Sequence, residues 1–406
     1  MTSSSLFLAI LVPLTLVSPR APLAQTPAPA PAETPVTKSR TRDLGPLIAP
    51  LREKGALPGV VAAVVEDGEL VALGASGVRM RGDPTPITTD DPMHLGSCTK
   101  AMTATLAARF VEAGKLRWNS TLAELFPDVE MLPAWRAVTV EQLLSHRGGA
   151  PKELDAGGLW SRLWKEKGTH VEQRRELLVG VVKREPVFAP GTGFEYSNAG
   201  VAIVGHALET LAKKPWEELM QEELFAPLGI TTGGFGAPGT KGVVDAPRGH
   251  AGKRSYEPGP SADNPPAIGP AGTAHMKIAD WAKFVAVHLE AAHARLVPAG
   301  ANSASAPSSG ARPFLTSESF AKLQTVPEGA KERYALGWMV GEREWAGGEV
   351  LTHSGSNTMW FCVTWLAPKQ DFAVLVCCNA GGDDVAKTID GIAWAVIQDE
   401  VARRAK

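Results

Sequence analysis

The chain has 406 residues, 44% of them hydrophobic and 21% charged, with a formal net charge of −2. That length suits one large domain with an insertion, or two to three average ones, and the composition is that of a globular protein with a real core. The near-balanced charge leaves no basic excess of the kind that nucleic acid or an anionic membrane would attract.

Leu6 to Val17 is an apolar run too short to span a bilayer, followed by Ser18, Pro19, Arg20 and a small-residue cut site after Ala24. It reads as a leader over residues 1–24 of an exported protein, periplasmic or secreted, with no cysteine behind it for a lipid anchor and no stable membrane insertion after processing. Residues 25–42 form a Pro/Ala-rich linker that cannot build a core. The folded domain is expected over 43–403. Residues 43–55 suggest a helix, weakened by Pro46 and Pro50. Val60 to Val65 and Leu70 to Leu73 flank Glu66-Asp67-Gly68, a hairpin signal. Loop residues 82–92 then lead to Gly96-Ser97-Cys98-Thr99-Lys100. Helical spacing runs from Thr99 to Leu116, with Met102, Leu106 and Phe110 four apart. Shorter helices are expected near 139–145, 159–184, 199–214 and 216–225. A Gly/Pro-rich stretch over 236–273, a helix over 278–294 and a Pro/Ala/Ser/Gly loop over 297–313 come next. Strands return at 338–340 and 349–352, about Gly347-Gly348, and at 360–366 and 372–378, before a closing helix over 384–403. Strands at both ends with helices between imply an α+β fold. Its antiparallel sheet is built from the N- and C-terminal segments and flanked by helices, and a mostly helical lobe is inserted over roughly 117–335.

Three short patterns carry chemistry. Ser97 and Lys100 stand three apart at the mouth of a helix, so their side chains share a face. A neutral amine there can take the serine proton while the helix start favours an oxyanion. Ser319-Phe320-Ala321-Lys322 repeats the spacing without the glycine in front. The second pattern is Tyr196-Ser197-Asn198, after the turn Pro190-Gly191-Thr192-Gly193; its bland alternative is a packed tyrosine with Asn198 capping the next helix. The third is His353-Ser354-Gly355-Ser356 at a strand end. The remaining histidines form no metal-ligand spacing, so no metal is expected, and no Gly-x-Ser-x-Gly elbow supports a Ser-His-Asp triad. Cys98, Cys362, Cys377 and Cys378 fit no zinc pattern. A Cys362–Cys378 bridge and buried free thiols both remain open, and Cys98 is a candidate for the cleft wall.

In this order and on these elements, the three patterns resemble the penicillin-recognising serine hydrolases. The resemblance is to the class C β-lactamase-related family, which also holds D,D-peptidases, D-amino-acid peptidases and esterases. It covers about 43–400 and includes Leu143-Leu144-Ser145-His146 and Pro270-Ala271-Gly272. It implies an acyl-enzyme on Ser97, with Lys100 as proton acceptor and Tyr196 sharing the proton traffic. It further implies that Asn198, His353, Ser354 and Gly355 orient Lys100 or the substrate, and that the backbone amides of Ser97 and Ser356 form the oxyanion hole. No cofactor is implied. The expected partner is a small-molecule or peptide substrate: a D-amino-acid peptide, a β-lactam or an ester. A D,D-peptidase or esterase type comes first, a β-lactamase proper second, and a catalytically silent peptide- or glycan-binding relative third. His353 stands where β-lactamases usually carry lysine. Its charge is expected to fade through neutrality, and any hold on a substrate carboxylate with it.

Overall fold

A computed structural model describes residues 41–165, 167–297 and 314–406. The leader, most of the linker and nearly all of the 297–313 loop lie outside these residues. Contacts gather Arg40–Lys406 into one unit. In chain order its first elements are β1 (Arg42–Asp43), α1 (Gly45–Lys54), β2 (Gly59–Glu66), β3 (Glu69–Gly77), β4 (Pro92–His94) and α2 (Thr99–Glu112). Seven helices follow: α3 (Leu122–Leu125), α4 (Pro133–Arg136), α5 (Val140–Leu144), α6 (Leu159–Leu163), α7 (His170–Val182), α8 (Asn198–Ala212) and α9 (Trp216–Met220). Next come β5 (Gly234–Phe235), β6 (Gly249–Ala251), β7 (Arg254–Tyr256), α10 (Gly269–Gly272), β8 (Ala274–Lys277), α11 (Ile278–Leu296) and α12 (Ser317–Gln324). The chain closes with β9 (Met339–Arg343), β10 (Gly348–Ser356), β11 (Phe361–Ala367), β12 (Phe372–Cys378) and α13 (Asp383–Arg404).

The main sheet has the order β1-β3-β2-β12-β11-β10-β9 and is antiparallel except for the β1–β3 pair. N- and C-terminal strands thus meet at β2 and β12. Both are buried along nearly their whole length, because the sheet is covered on two faces. Alternate side chains of a strand point to opposite faces. Val61, Ala63 and Val65 enter the larger core with Met102 and Leu106, while Val60, Ala62 and Val64 pack with Ile48, Ile392 and Val396 of α1 and α13. The β2–β3 hairpin turns through Asp67 (φ 50) and Gly68 (φ 76), the left-handed pair that a two-residue turn requires.

Between the halves of the sheet lie α3 to α9 and two small sheets, β4-β8-β5 and β6-β7. Several of these helices begin on Thr-x-x-Glu/Gln capping boxes, at Thr121, Thr139 and Thr169. The box at Thr169 starts α7 afresh, which is why the expected single helix over 159–184 is two. Helix α11 packs against β2 and β12, so the end of the expected insertion belongs to the sheet's own cover. The strand register also closes the disulfide question. Cys378 stands opposite Phe361 and Cys362 opposite Cys377, and all four cysteines are free and buried.

Candidate active site

The site is built where α2 begins. Gly96–Cys98 forms a single 3₁₀ turn ahead of the helix, and Gly96 takes φ 46. This turn lies flush on the end of β10. A Cβ on Gly355 would overlap the Leu95 carbonyl oxygen and stand 2.8 Å from Ser97 N; a Cβ on Gly96 would overlap Ser356 N. Glycine at both positions is the condition for bringing the Ser97 and Ser356 amides together. The turn is held by the Thr99 hydroxyl, which donates to the Gly96 carbonyl at 2.7 Å and accepts from Ala274 N–H at 3.1 Å.

One turn into the protein, Lys100 is 1% exposed. Its Nζ lies 2.9 Å from Ser97 Oγ, 2.7 Å from Asn198 Oδ1 and 2.8 Å from the Ala271 carbonyl oxygen. Burial lowers its pKa from 10.5 to about 7. The three partners are chemically unequal. The Asn198 and Ala271 oxygens can only accept, so they claim two N–H bonds in either protonation state. When the amine is neutral, its lone pair is left facing the hydroxyl of Ser97, the one partner that can donate. The geometry therefore permits direct proton transfer from Ser97 to Lys100.

Asn198 is free for this contact because it does not cap α8. Ser197 is the cap instead, accepting from Gly200 N–H at 3.3 Å and donating to the Pro151 carbonyl at 2.7 Å. Tyr196 places its ring centroid 4.7 Å from Lys100 Nζ. Burial raises its pKa, against the pull of a hydrogen bond with Ser97, so it remains a phenol at working pH.

His353 departs from expectation. It is buried, with Nδ1 donating to the Ser354 carbonyl at 2.6 Å and Nε2 accepting from the Tyr334 hydroxyl at 3.0 Å. Burial first, and the nearby Lys100 second, lower its pKa to about 4. It is a neutral ring held on both nitrogens, not a cation that fades near pH 7. Ser354 departs too. Its side chain projects from the opposite face of the sheet, beside Val363, Lys387 and Asp390, as strand alternation after an inward His353 demands. Cys98 points away from the cleft as well: it is 3% exposed, with Sγ 3.5 Å from Cys362 Sγ beneath the turn. Ser319 and Lys322 belong to α12 and lie apart from this group; Lys322 pairs with Glu141 at 2.7 Å.

Two participants escaped the sequence reading. Tyr334 joins His353, Tyr196 and His146 in one aromatic cluster. The Ala271 carbonyl holds Lys100, a contact signalled only by the match at Pro270-Ala271-Gly272. A Ser-His-Asp alternative is also answered by geometry. His94 and Asp263 do pair at 2.9 Å, but His94 Nδ1 accepts from Gly96 N–H at 3.1 Å and is not free to serve Ser97.

Comparison with known proteins gives the family and the fold. The family model described as Beta-lactamase matches residues 45–398. The chain belongs to the Beta-lactamase family. Members of this family are serine hydrolases of the β-lactamase and transpeptidase type. Penicillin-binding protein 4 of Amycolatopsis lactamdurans is 31% identical over 59% of the chain and 61% of its own length. The unguisins hydrolase ungD' of Aspergillus campestris is 26% identical over 83% of the chain and 61% of its own length. The chain therefore spans about three-fifths of each of these relatives. Among solved structures, the D-amino acid amidase of Ochrobactrum anthropi SV3 superposes with a TM-score of 0.67 at 20% identity. That match covers 89% of this Beta-lactamase-family chain and 97% of the amidase, a likeness of fold. Among the described residues no helix is long and apolar enough to cross a membrane.

Proposed function

We propose that the protein opens an ester or amide bond through an acyl-enzyme on Ser97, as a D,D-peptidase- or esterase-type member of its family. The observation that carries this reading is Lys100, buried at a pKa of about 7 with two N–H bonds committed to carbonyl oxygens and Ser97 Oγ at 2.9 Å. Ser97 Oγ attacks the substrate carbonyl and its proton passes to Lys100 Nζ. The carbonyl oxygen, now an oxyanion, accepts from the backbone N–H groups of Ser97 and Ser356. Tyr196 remains protonated, so it gives its proton to the leaving group as it takes the one held by Lys100, instead of acting as a phenolate base; in the second half-reaction the attacking water's proton passes by way of Tyr196 and Lys100 to Ser97 Oγ as the acyl bond breaks. A silent binding relative would gain nothing from a buried lysine held in this state. A β-lactamase proper is the weaker reading, since a neutral His353 supplies no charge for a substrate carboxylate. Among the relatives, penicillin-binding protein 4 and the lovastatin esterase of Penicillium rubens, 28% identical over 43% of this chain and 48% of its own length, bracket the substrates to be tried.

The test is a fluorophosphonate adduct mapped by peptide mass, together with a D-Ala-D-Ala peptide, a chromogenic cephalosporin and a short-chain nitrophenyl ester assayed side by side. The adduct is expected on Ser97 and absent in Ser97→Ala, with the ester turned over fastest. An adduct on Ser319, or none at all, would defeat the proposal.

A further inference from the structure

Beneath the reacting serine lies a buried polar chain that the proposed chemistry does not use. Asp263 is 5% exposed, His94 1% and Asn357 5%. The His94 ring accepts from Gly96 N–H on Nδ1, which fixes the proton on Nε2, and Nε2 lies 2.9 Å from Asp263 Oδ1 and 3.0 Å from Oδ2. From the other side Asn357 donates its amide to Asp263 Oδ1 at 3.1 Å and to the Ala262 carbonyl at 3.2 Å. Asn264 N–H also donates to Asp263 Oδ1, at 2.7 Å. Asp263 thus gathers three donors, and two of them belong to the segments that meet at the reacting centre. Gly96 directly precedes Ser97, and Asn357 directly follows Ser356.

We propose that Asp263 is a positioning residue for the oxyanion hole, fixing the Ser97 side through His94 and the Ser356 side through Asn357. This deepens the reading given above and rests on it. Two amides from separate segments must converge on one oxygen at hydrogen-bond distance, and that convergence has to exist before the substrate arrives. Yet the joint between them is made of two glycines, Gly96 and Gly355, the residues with the most backbone freedom. Their close approach brings the segments together, and the shared acceptor keeps them from sliding. A carboxylate suits the position, because its two oxygens can accept from every side. In Asp263→Asn the amide NH₂ faces at least one of the three donors. If His94 changes tautomer to accept it, Nδ1 carries the proton and confronts Gly96 N–H. Either way the disturbance reaches the reacting turn.

The experiment compares an activated ester with its thionoester, in which C=S replaces C=O, because sulfur gains little from amide donors. Acylation-limited kcat/KM is measured for both in wild type, Asp263→Asn and His94→Gln; the glutamine keeps an NH₂ donor for Asp263 but has no ring nitrogen at the Nδ1 position to accept from Gly96 N–H. Removing one oxyanion donor outright costs about 10²- to 10³-fold, so misplacing the amides is expected to lower the ester-to-thionoester ratio by about tenfold or more, with KM for the ester little changed. Equal losses on both substrates, leaving the ratio intact, would mean that the chain is merely structural and would overturn the proposal. So would failure of both variants to fold. A wild-type ratio near one would strike the oxyanion-hole reading itself and this inference with it, and it is told apart from the other outcomes because it needs no variant.

Discussion

Raising the pH from 6 to 8 changes Lys100 above all at the reacting centre. Burial places its pKa at about 7. In the proposed mechanism only the neutral amine takes the Ser97 proton, so the acylation rate follows the neutral fraction. That fraction climbs from about one-tenth at pH 6 to about nine-tenths at pH 8, a rise of about tenfold that then levels off. A lysine of ordinary basicity would gain about a hundredfold over the same interval and would still be climbing at pH 9. The two cases differ in slope and in shape. The assay is kcat/KM for an uncharged nitrophenyl ester, followed by stopped flow and corrected for spontaneous hydrolysis. Asn198→Ala adds a second handle. An acceptor favours an ammonium over an amine, because charge-assisted hydrogen bonds are the stronger ones. Its loss is therefore expected to move the inflection to lower pH. Lys100→Met is expected to lose about 10²- to 10⁴-fold, the usual range for a general base. A hundredfold climb with no inflection, or an unaltered profile in Lys100→Met, would refute the assignment.

Three further outcomes follow from burial. Between a folded value of about 7 and the ordinary 10.5 the unfolded chain holds a proton that the folded one lacks, so the cost of Lys100 is complete below pH 7 and fades as pH rises. Lys100→Met is thus expected to melt higher than wild type at pH 6, with the gap closing toward pH 10; equal melting temperatures at pH 6 would contradict this. His353, with a pKa of about 4, carries no charge from pH 5.5 to 8.5. The kcat/KM ratio for two esters differing only in a carboxylate should stay within about twofold across that range, and a fall through pH 6–7 would show a charged His353. Cys98 and Cys362 are buried with their thiol pKa values pushed up, so neither is a ready thiolate. Iodoacetamide should leave the native enzyme active and both thiols unmodified until denaturant is added; rapid labelling of Cys98 with inactivation would place it in the cleft after all.

The sequence was readable where structure is local. Ser97 and Lys100 meet because three residues nearly complete a helical turn, and the hairpin around Asp67-Gly68 is written in its turn residues. The strand pairs of the last third followed from their apolar runs. What could not be read depends on distant neighbours. The charge of His353 is decided by burial and by the nearby Lys100, neither of which its own tetrapeptide contains. Cys98 was misjudged because the element opens with a 3₁₀ turn pressed on β10, which sends its side chain beneath the sheet end instead of into the cleft. The Ser354 position, by contrast, was legible: on a strand, an inward His353 requires its successor to point out. Asp263 lay in a Gly/Pro-rich stretch with no pattern of its own, and only the fold brings it to His94.

The partners that turn the lone pair of Lys100 toward Ser97 lie 98 and 171 positions further along the chain, in Asn198 and Ala271. In an unfolded or half-made polypeptide, Lys100 is an ordinary ammonium and Ser97 an ordinary alcohol. The proposed nucleophile is therefore a product of long-range closure, which is among the slower contacts to form in folding. A nascent chain carries no reactive serine with which to acylate itself or its neighbours. In the folded protein, reactivity should vanish with the first loosening of the α8 and α10 contacts, while helices and sheet still stand. Turnover is then a more sensitive gauge of tertiary order in this protein than any spectroscopic measure of its secondary structure.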